Sequence, residues 1–204
     1  MNQLIQDLKN RIITKKALVW DFDGVIFFSN WIYNEPLEVY LERKWKMLEK
    51  FEPDIRNVFK DGAKYYYENT DYVISRHNAS VRDKINQFYL EKELAILPGM
   101  KNNAPVIEFI KSLNSDIENY IWSNNQSEFI RILLDSVGLS NNFKAIASLN
   151  KMKLGKPNLD GFEIIKDVSE IKDINGFLLI GDSLNTDGEA AKKLGMDFFH
   201  LNAK

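Results

Sequence analysis

Val19-Trp20-Asp21-Phe22-Asp23-Gly24-Val25 is the stretch whose reading decides the fold. A short apolar run, Ala17-Leu18-Val19-Trp20, leads into two aspartates one residue apart, and a glycine follows them. An apolar run of this length, with basic residues before it and a glycine after it, reads as a buried strand. On an extended chain, residues two apart project to the same side, so both carboxylates can face one point. Like charges so close resist ionising together unless a cation lies between them. The stretch therefore calls for a cation site, with the remaining walls supplied from elsewhere in the chain.

The bulk composition leaves room for one. A chain of 204 residues, 45% hydrophobic and 27% charged, can build a sizeable core, or a core plus a small inserted domain. The net charge of -2 shows none of the basic excess that phosphate contacts to nucleic acid would need, so no nucleic-acid partner is expected. There is no cysteine, which removes disulfides, thiolate metal sites and thiol catalysis. Met1 to Leu8 lacks the basic-then-apolar pattern of a signal peptide, and the apolar runs are too short for a bilayer span. The expectation is a cytoplasmic protein with no membrane partner.

Outward from the opening stretch, Leu4, Ile5, Leu8 and Ile12 share one face of a short N-terminal helix. Residues 30–95 are rich in Glu, Lys, Tyr and Trp, with apolar residues at helical spacing. Leu37, Tyr40, Leu41, Trp45 and Leu48 form one face; Ile55, Val58 and Phe59 begin another; Val81, Ile85, Phe88 and Tyr89 form a later one. Pro36 and Pro53 stand where helices would begin. After residue 104 helix and strand alternate, with Gly138 and Gly195 as helix stops. This pattern predicts an α/β fold: a Rossmann-like doubly wound parallel sheet, formed by residues 1–29 and 96–204, with a small all-α domain inserted at 30–95.

In open parallel sheets, functional groups gather beyond the carboxyl ends of the strands. Four such ends carry polar residues: Asp21 with Asp23, Ser123 with Asn124, the loop bearing Lys156, and Asp182 with Asp187. Converged, they would make a divalent-cation site beside an anion site. Oxygen donors without His or Cys suit Mg²⁺.

In these four motifs the chain resembles the haloacid-dehalogenase-like (HAD) phosphohydrolase superfamily. The motifs are Asp21-Phe22-Asp23-Gly24-Val25, Ser123-Asn124, Lys156-Pro157 and Gly181-Asp182-Ser183-Leu184-Asn185-Thr186-Asp187, in the family's order over almost the whole chain. The resemblance implies a Mg²⁺-dependent phosphatase that hydrolyses a phosphate monoester of a small metabolite through an aspartyl-phosphate. Asp21 would be the nucleophile and Asp23 the general acid, then base. Mg²⁺ would be held by Asp21, the backbone carbonyl of Asp23 and Asp182, with Asp187 as ligand or anchor. Gly24, Ser123 and the Asn124 amide would bind the phosphoryl group, and Lys156 would neutralise its developing charge. Members that displace halide lack an acid at the position of Asp23. Residues 30–95 fall where the family inserts a helical cap. The pair Phe28-Ser29 departs from the Asp-Ser of many small-sugar phosphatases.

Plainer readings stand beside these. Ser123 could cap the following helix and Asp187 the one at Gly188. His200 reads as structural, Trp45 as bundle core and Glu42-Arg43-Lys44 as a solvated face. Lys64, Tyr65-Tyr66-Tyr67, Arg76 and His77 are candidate substrate contacts. The same chemistry would also serve a phosphomutase acting on a sugar phosphate, and the fold alone could serve a non-catalytic binding protein.

Overall fold

The computed structural model describes residues 2–28, 36–60 and 68–201. It opens with α1 (Asn2–Arg11), then β1 (Ala17–Trp20) and a two-residue strand, β2 (Phe27–Phe28). Four helices come next: α2 (Leu37–Leu48), α3 (Ile55–Val58), α4 (Glu68–Arg76) and α5 (Ala79–Ile96). The alternating part follows as β3 (Lys101–Asn102), α6 (Ala104–Lys111), β4 (Glu118–Trp122), α7 (Ser127–Ser136), β5 (Ala145–Ala147) and α8 (Asp160–Val168). It ends with β6 (Phe177–Gly181), α9 (Glu189–Leu194) and β7 (Asp197–His200).

Five strands form one parallel sheet in the order β5-β4-β1-β6-β7, so β1 lies at its centre. The order reverses on either side of β1, which makes its carboxyl end the place where a crevice opens between diverging connections. Successive residues of each strand face opposite sides of the sheet. Leu18, Trp20, Ile121, Leu178 and Ile180 pack with α1, α6 and α7 through Leu8, Phe109, Ile110, Phe129 and Leu133. Val19, Tyr120, Trp122, Phe177 and Leu179 pack with Phe162 and Ile165 of α8 and Ala190 and Ala191 of α9. Both faces are covered, which is why these strands read as continuous apolar runs. Trp20 and Trp122 are fully buried. Truncating either to alanine should cost about 3–5 kcal/mol.

Gly138 and Gly195 take the left-handed conformation just after α7 and α9, as their place in the sequence predicts. The apolar run after Gly24 has a different role from β1. Val25 and Ile26 form a tight turn, closed by Gly24 N–H donating to Phe27 O at 2.7 Å and by Asn103 donating to the Val25 and Ile26 carbonyls. β2 then pairs antiparallel with β3, a two-stranded ribbon beside the main sheet. Pro36 directly precedes α2, whereas Pro53 stands one residue before Asp54, the cap of α3.

One expectation is corrected in α2. Lys44 does not belong to a solvated face: it is 1% exposed, and its ammonium lies 5.9 Å over the Tyr89 ring. Glu42 does face outward, paired with Arg56. Trp45, Leu48, Val73, Ile85 and Tyr89 form the apolar interior of the helical segment. Lys44 follows from the same turn of helix, since its spacing to Tyr40 and Leu48 puts it on the buried stripe.

Candidate active site

β1 ends at Trp20, and the two aspartates leave it in the crevice. Asp21 still belongs to the ladder, its N–H donating to Ile180 O at 2.8 Å. Beside it, β6 ends in Gly181, followed by Asp182 and a π-helical turn, Leu184–Gly188, that brings Asp187 back beneath the same point. Carboxylate oxygens of Asp21, Asp182 and Asp187 lie within 4.8 Å of one another. Gly24 makes the approach possible. Its φ of +84° suits glycine, and a Cβ there would stand 2.1 Å from Asp182 Oδ2. Gly181 likewise leaves room for Asp187, whose Oδ2 a Cβ would meet at 2.3 Å.

Lys156 enters from the opposite side on the loop after β5. Its Nζ lies 2.5 Å from Asp187 Oδ1, 2.8 Å from Asp21 Oδ1 and 2.7 Å from Trp122 O. Three acceptors satisfy the three ammonium protons, which a buried lysine requires. Burial works against the Lys156 charge, yet Asp187 and Asp21 outweigh it and hold the ammonium above the usual lysine range. Burial pushes the Asp21 carboxyl up and the Asp187 charge adds to this, while Lys156 opposes both. A crowded set of carboxylates with one ammonium among them has the donor chemistry of a hard divalent cation site: oxygen ligands, excess negative charge and no competing nitrogen or sulfur. The residues present therefore fit Mg²⁺. Asp187 is fully buried and holds Lys156 and the Ser183 N–H, while the Ser183 side chain, not Asp187, caps the turn by accepting Thr186 N–H.

The loop that carries Lys156 is clamped from β4. Asn124 Oδ1 accepts Lys156 N–H at 2.7 Å and its Nδ2 donates to Lys156 O at 3.1 Å. The Asn124 side chain is thus spent on positioning Lys156. Gly155 permits this contact, since a Cβ there would lie 2.8 Å from Asn124 Oδ1. The peptide between Lys156 and Pro157 is cis. Ser123 is fully buried, its hydroxyl donating to Asn125 Oδ1 at 2.8 Å and accepting Asn125 N–H at 3.2 Å.

Two acids from the helical segment, neither singled out by sequence reading, reach these loops. Asp71 of α4 accepts from Asn158 Nδ2 at 3.3 Å and from the Gly155 N–H, and so brackets Lys156. Glu93 of α5 accepts from Gln126 N–H and Asn125 Nδ2, directly after Ser123 and Asn124. Burial pushes Glu93 up to about 8 against those two donors, with the Asp23 charge adding. A signal for Glu93 exists in the sequence: it stands four and eleven residues from Tyr89 and Arg82 on α5, and with Ile85, Tyr89 and Ile96 buried, positions 92 and 93 fall on the inner stripe.

The remaining residues singled out in the sequence have other partners. Arg76 and His77 both bond Glu52, within the helical segment. His200 ends β7, its Nε2 2.9 Å from Asp182 O. Ser29, Lys64 and Tyr65-Tyr66-Tyr67 fall outside the described residues. Among the described residues, no helix is long and apolar enough to cross a membrane.

Comparison with known proteins places this arrangement. The family model described as haloacid dehalogenase-like hydrolase matches residues 18–201. No curated protein matches the sequence. Among solved structures, a HAD-hydrolase-type protein of Bacillus subtilis bound to magnesium is 18% identical, with a TM-score of 0.55 over 92% of this chain and 87% of that one. A HAD phosphatase of Thermococcus onnurineus is 17% identical, with a TM-score of 0.56 over 92% and 86%. The L-2-haloacid dehalogenase of Xanthobacter autotrophicus, with chloropropionic acid covalently bound, is 17% identical, with a TM-score of 0.54 over 92% and 77%. At these identities the likeness is one of fold.

Proposed function

This chain belongs to the haloacid dehalogenase-like hydrolase family, and we propose that within it the protein is a phosphatase acting on a phosphate monoester of a small metabolite. The observation that carries the reading is the Asp21 carboxylate, held 2.8 Å from the buried Lys156 ammonium, with a second carboxyl, Asp23, two residues on. A halide-displacing enzyme needs a nucleophile but no proton for its leaving group. An alkoxide leaving group does need one, and Asp23, two residues after Asp21, is the carboxyl we assign to supply it.

In the reaction, an Asp21 carboxylate oxygen attacks phosphorus and the ester P–O bond breaks in line with it. The departing alkoxide takes the proton of Asp23. Asp23, now a carboxylate, takes a proton from water as the water attacks the phosphorus of the aspartyl-phosphate. The P–O bond to Asp21 breaks, Asp21 is regenerated and inorganic phosphate leaves. Lys156 offsets negative charge on the phosphoryl oxygens in a site that excludes water, where such an interaction is worth most. Ser123 and the loop after Gly24 bind the phosphoryl group. Because the Asn124 side chain is engaged with Lys156, its part in that binding falls to the backbone N–H.

Asp21, the carbonyl of Asp23, Asp182 and Asp187 would hold Mg²⁺, which supplies charge neutralisation and orientation for the phosphoryl group when bound. Residues 30–95 serve as the cap that closes over the substrate. The test is hydrolysis of a generic aryl phosphate with Mg²⁺ and with EDTA, using Asp21→Asn as control. Hydrolysis that needs Mg²⁺ and disappears in Asp21→Asn supports the reading; activity that survives the substitution sinks it. Phosphorylated sugars in the same assay distinguish phosphate release from isomerisation, and release should dominate.

A further inference from the structure

Glu93 is 2% exposed, near the end of α5, and both of its carboxylate oxygens accept from the loop after β4. Oε2 takes Gln126 N–H at 2.9 Å, and Oε1 takes Asn125 Nδ2–H at 3.3 Å. The consequence runs along the amide. With its nitrogen turned to Glu93, Asn125 presents its oxygen the other way, where Oδ1 receives the Ser123 hydroxyl proton at 2.8 Å. The Asn125 N–H occupies a Ser123 lone pair at 3.2 Å. An asparagine amide is oriented only by its partners, and here the deciding partner is the Glu93 carboxyl, whose Oε1 accepts from the Asn125 amide nitrogen.

We infer that Glu93 is a positioning residue for phosphoryl binding: by fixing the Asn125 amide it holds the Ser123 proton on Asn125, in competition with a phosphoryl oxygen. This inference rests on the reading of Ser123 as a phosphoryl-binding hydroxyl. Its purpose follows from the chemistry. A phosphatase ends each turnover with inorganic phosphate in the site, and a hydroxyl whose proton has another acceptor holds that product less tightly.

Replacing Glu93 by glutamine reverses the polarity of the chain at constant shape. The new Oε1 can still accept Gln126 N–H, but the new Nε2 donates, so Asn125 turns its oxygen to residue 93 and its nitrogen to Ser123. The serine proton is then released towards the phosphoryl site. Glu93→Gln should bind inorganic phosphate about tenfold tighter than the unmodified protein, the scale of one hydrogen bond to a charged group set against its lost partner. The gain should vanish in the Ser123→Ala background.

The measurement is calorimetric titration of the Mg²⁺-loaded protein with inorganic phosphate, for the four members of the Glu93→Gln and Ser123→Ala cycle. A merely structural Glu93 would leave phosphate affinity unchanged or lower, and the effect would be the same with and without the serine. Either result overturns the inference. Asn125→Ala, which removes the acceptor of the serine proton from the middle of the chain, gives a second route: it too should tighten phosphate binding only when Ser123 is present. Because binding is read without turnover, a protein that binds phosphate but hydrolyses no ester would sink the phosphatase reading and leave this one standing.

Discussion

The Lys156 ammonium lies 2.5 Å from Asp187, a residue 31 positions away whose side chain is fully buried. Asp187 thus anchors the lysine as much as it shapes a cation site. Removing either partner leaves the other charge uncompensated. Lys156→Ala should destabilise the protein by about 3–5 kcal/mol and lower turnover by at least about 100-fold. Mg²⁺ should restore more of the thermal midpoint in this variant than it adds to the unmodified protein, because a cation is then the sole compensation among three crowded carboxylates. Thermal unfolding with Mg²⁺ and with EDTA checks this. Equal metal-induced shifts in both proteins would contradict it.

In the proposed reaction, the two aspartates that leave β1 should fail differently. Asp21→Asn removes the attacking oxygen, so no covalent phosphoenzyme should form. Asp23→Asn leaves the nucleophile intact but removes the proton source. It should therefore slow departure of poor leaving groups most, and it should delay hydrolysis of any phosphoenzyme formed from a good one. Rapid-quench trapping with an aryl phosphate and an alkyl phosphate separates the steps. Equal losses for both leaving groups in Asp23→Asn would argue against its role as the acid.

Much of this was legible in the sequence, for a physical reason. A buried parallel strand must be apolar, so a polar residue directly after one is conspicuous, and Asp21, Ser123 and Asp182 all stand there. The sheet order then brings those ends together. That Asp187 and the Asn124 side chain both act on Lys156 could not be read, because each meets it only through folding: Asp187 at its ammonium, Asn124 at its backbone. Lys44 misled for another reason. Its neighbours Glu42 and Arg43 suggest a charged surface, and only the helical spacing to Tyr40 and Leu48 reveals burial. The pairing of β2 with β3 was hidden because two residues are too few to show a period.

Gly24 offers a test of the geometry that involves no ionisable side chain. A methyl group there meets Asp182 Oδ2 at 2.1 Å and also forces φ +84° on a residue with a Cβ. Gly24→Ala should cost about 1–3 kcal/mol of stability and weaken Mg²⁺ binding, since Asp182 has to move. Calorimetric Mg²⁺ titration and thermal unfolding read the two effects. Unchanged Mg²⁺ affinity would mean that Asp182 is not needed for the cation where it stands.

Asp71 provides the pH dependence. Burial raises its carboxyl to about 7; the Gly155 N–H opposes this, Glu68 adds, and Lys44 opposes. As pH rises from the ordinary aspartate range towards 7, the unfolded chain loses the proton while the folded protein keeps it. The folded state then binds more protons, so stability falls across that window and stays lower above it. Asp71→Asn cannot ionise and should lack this slope. At about pH 3.5 variant and parent should unfold at similar temperatures, and at about pH 8 the variant should be the more stable by on the order of 2 kcal/mol, after allowance for solvent at a partly exposed group. The gain should come with slower turnover if Asp71, as a carboxylate, holds the Lys156 loop more firmly than an amide does. Parallel stability curves for the two proteins across this range would mean that Asp71 ionises freely and that its contacts to Gly155 and Asn158 impose no protonation preference.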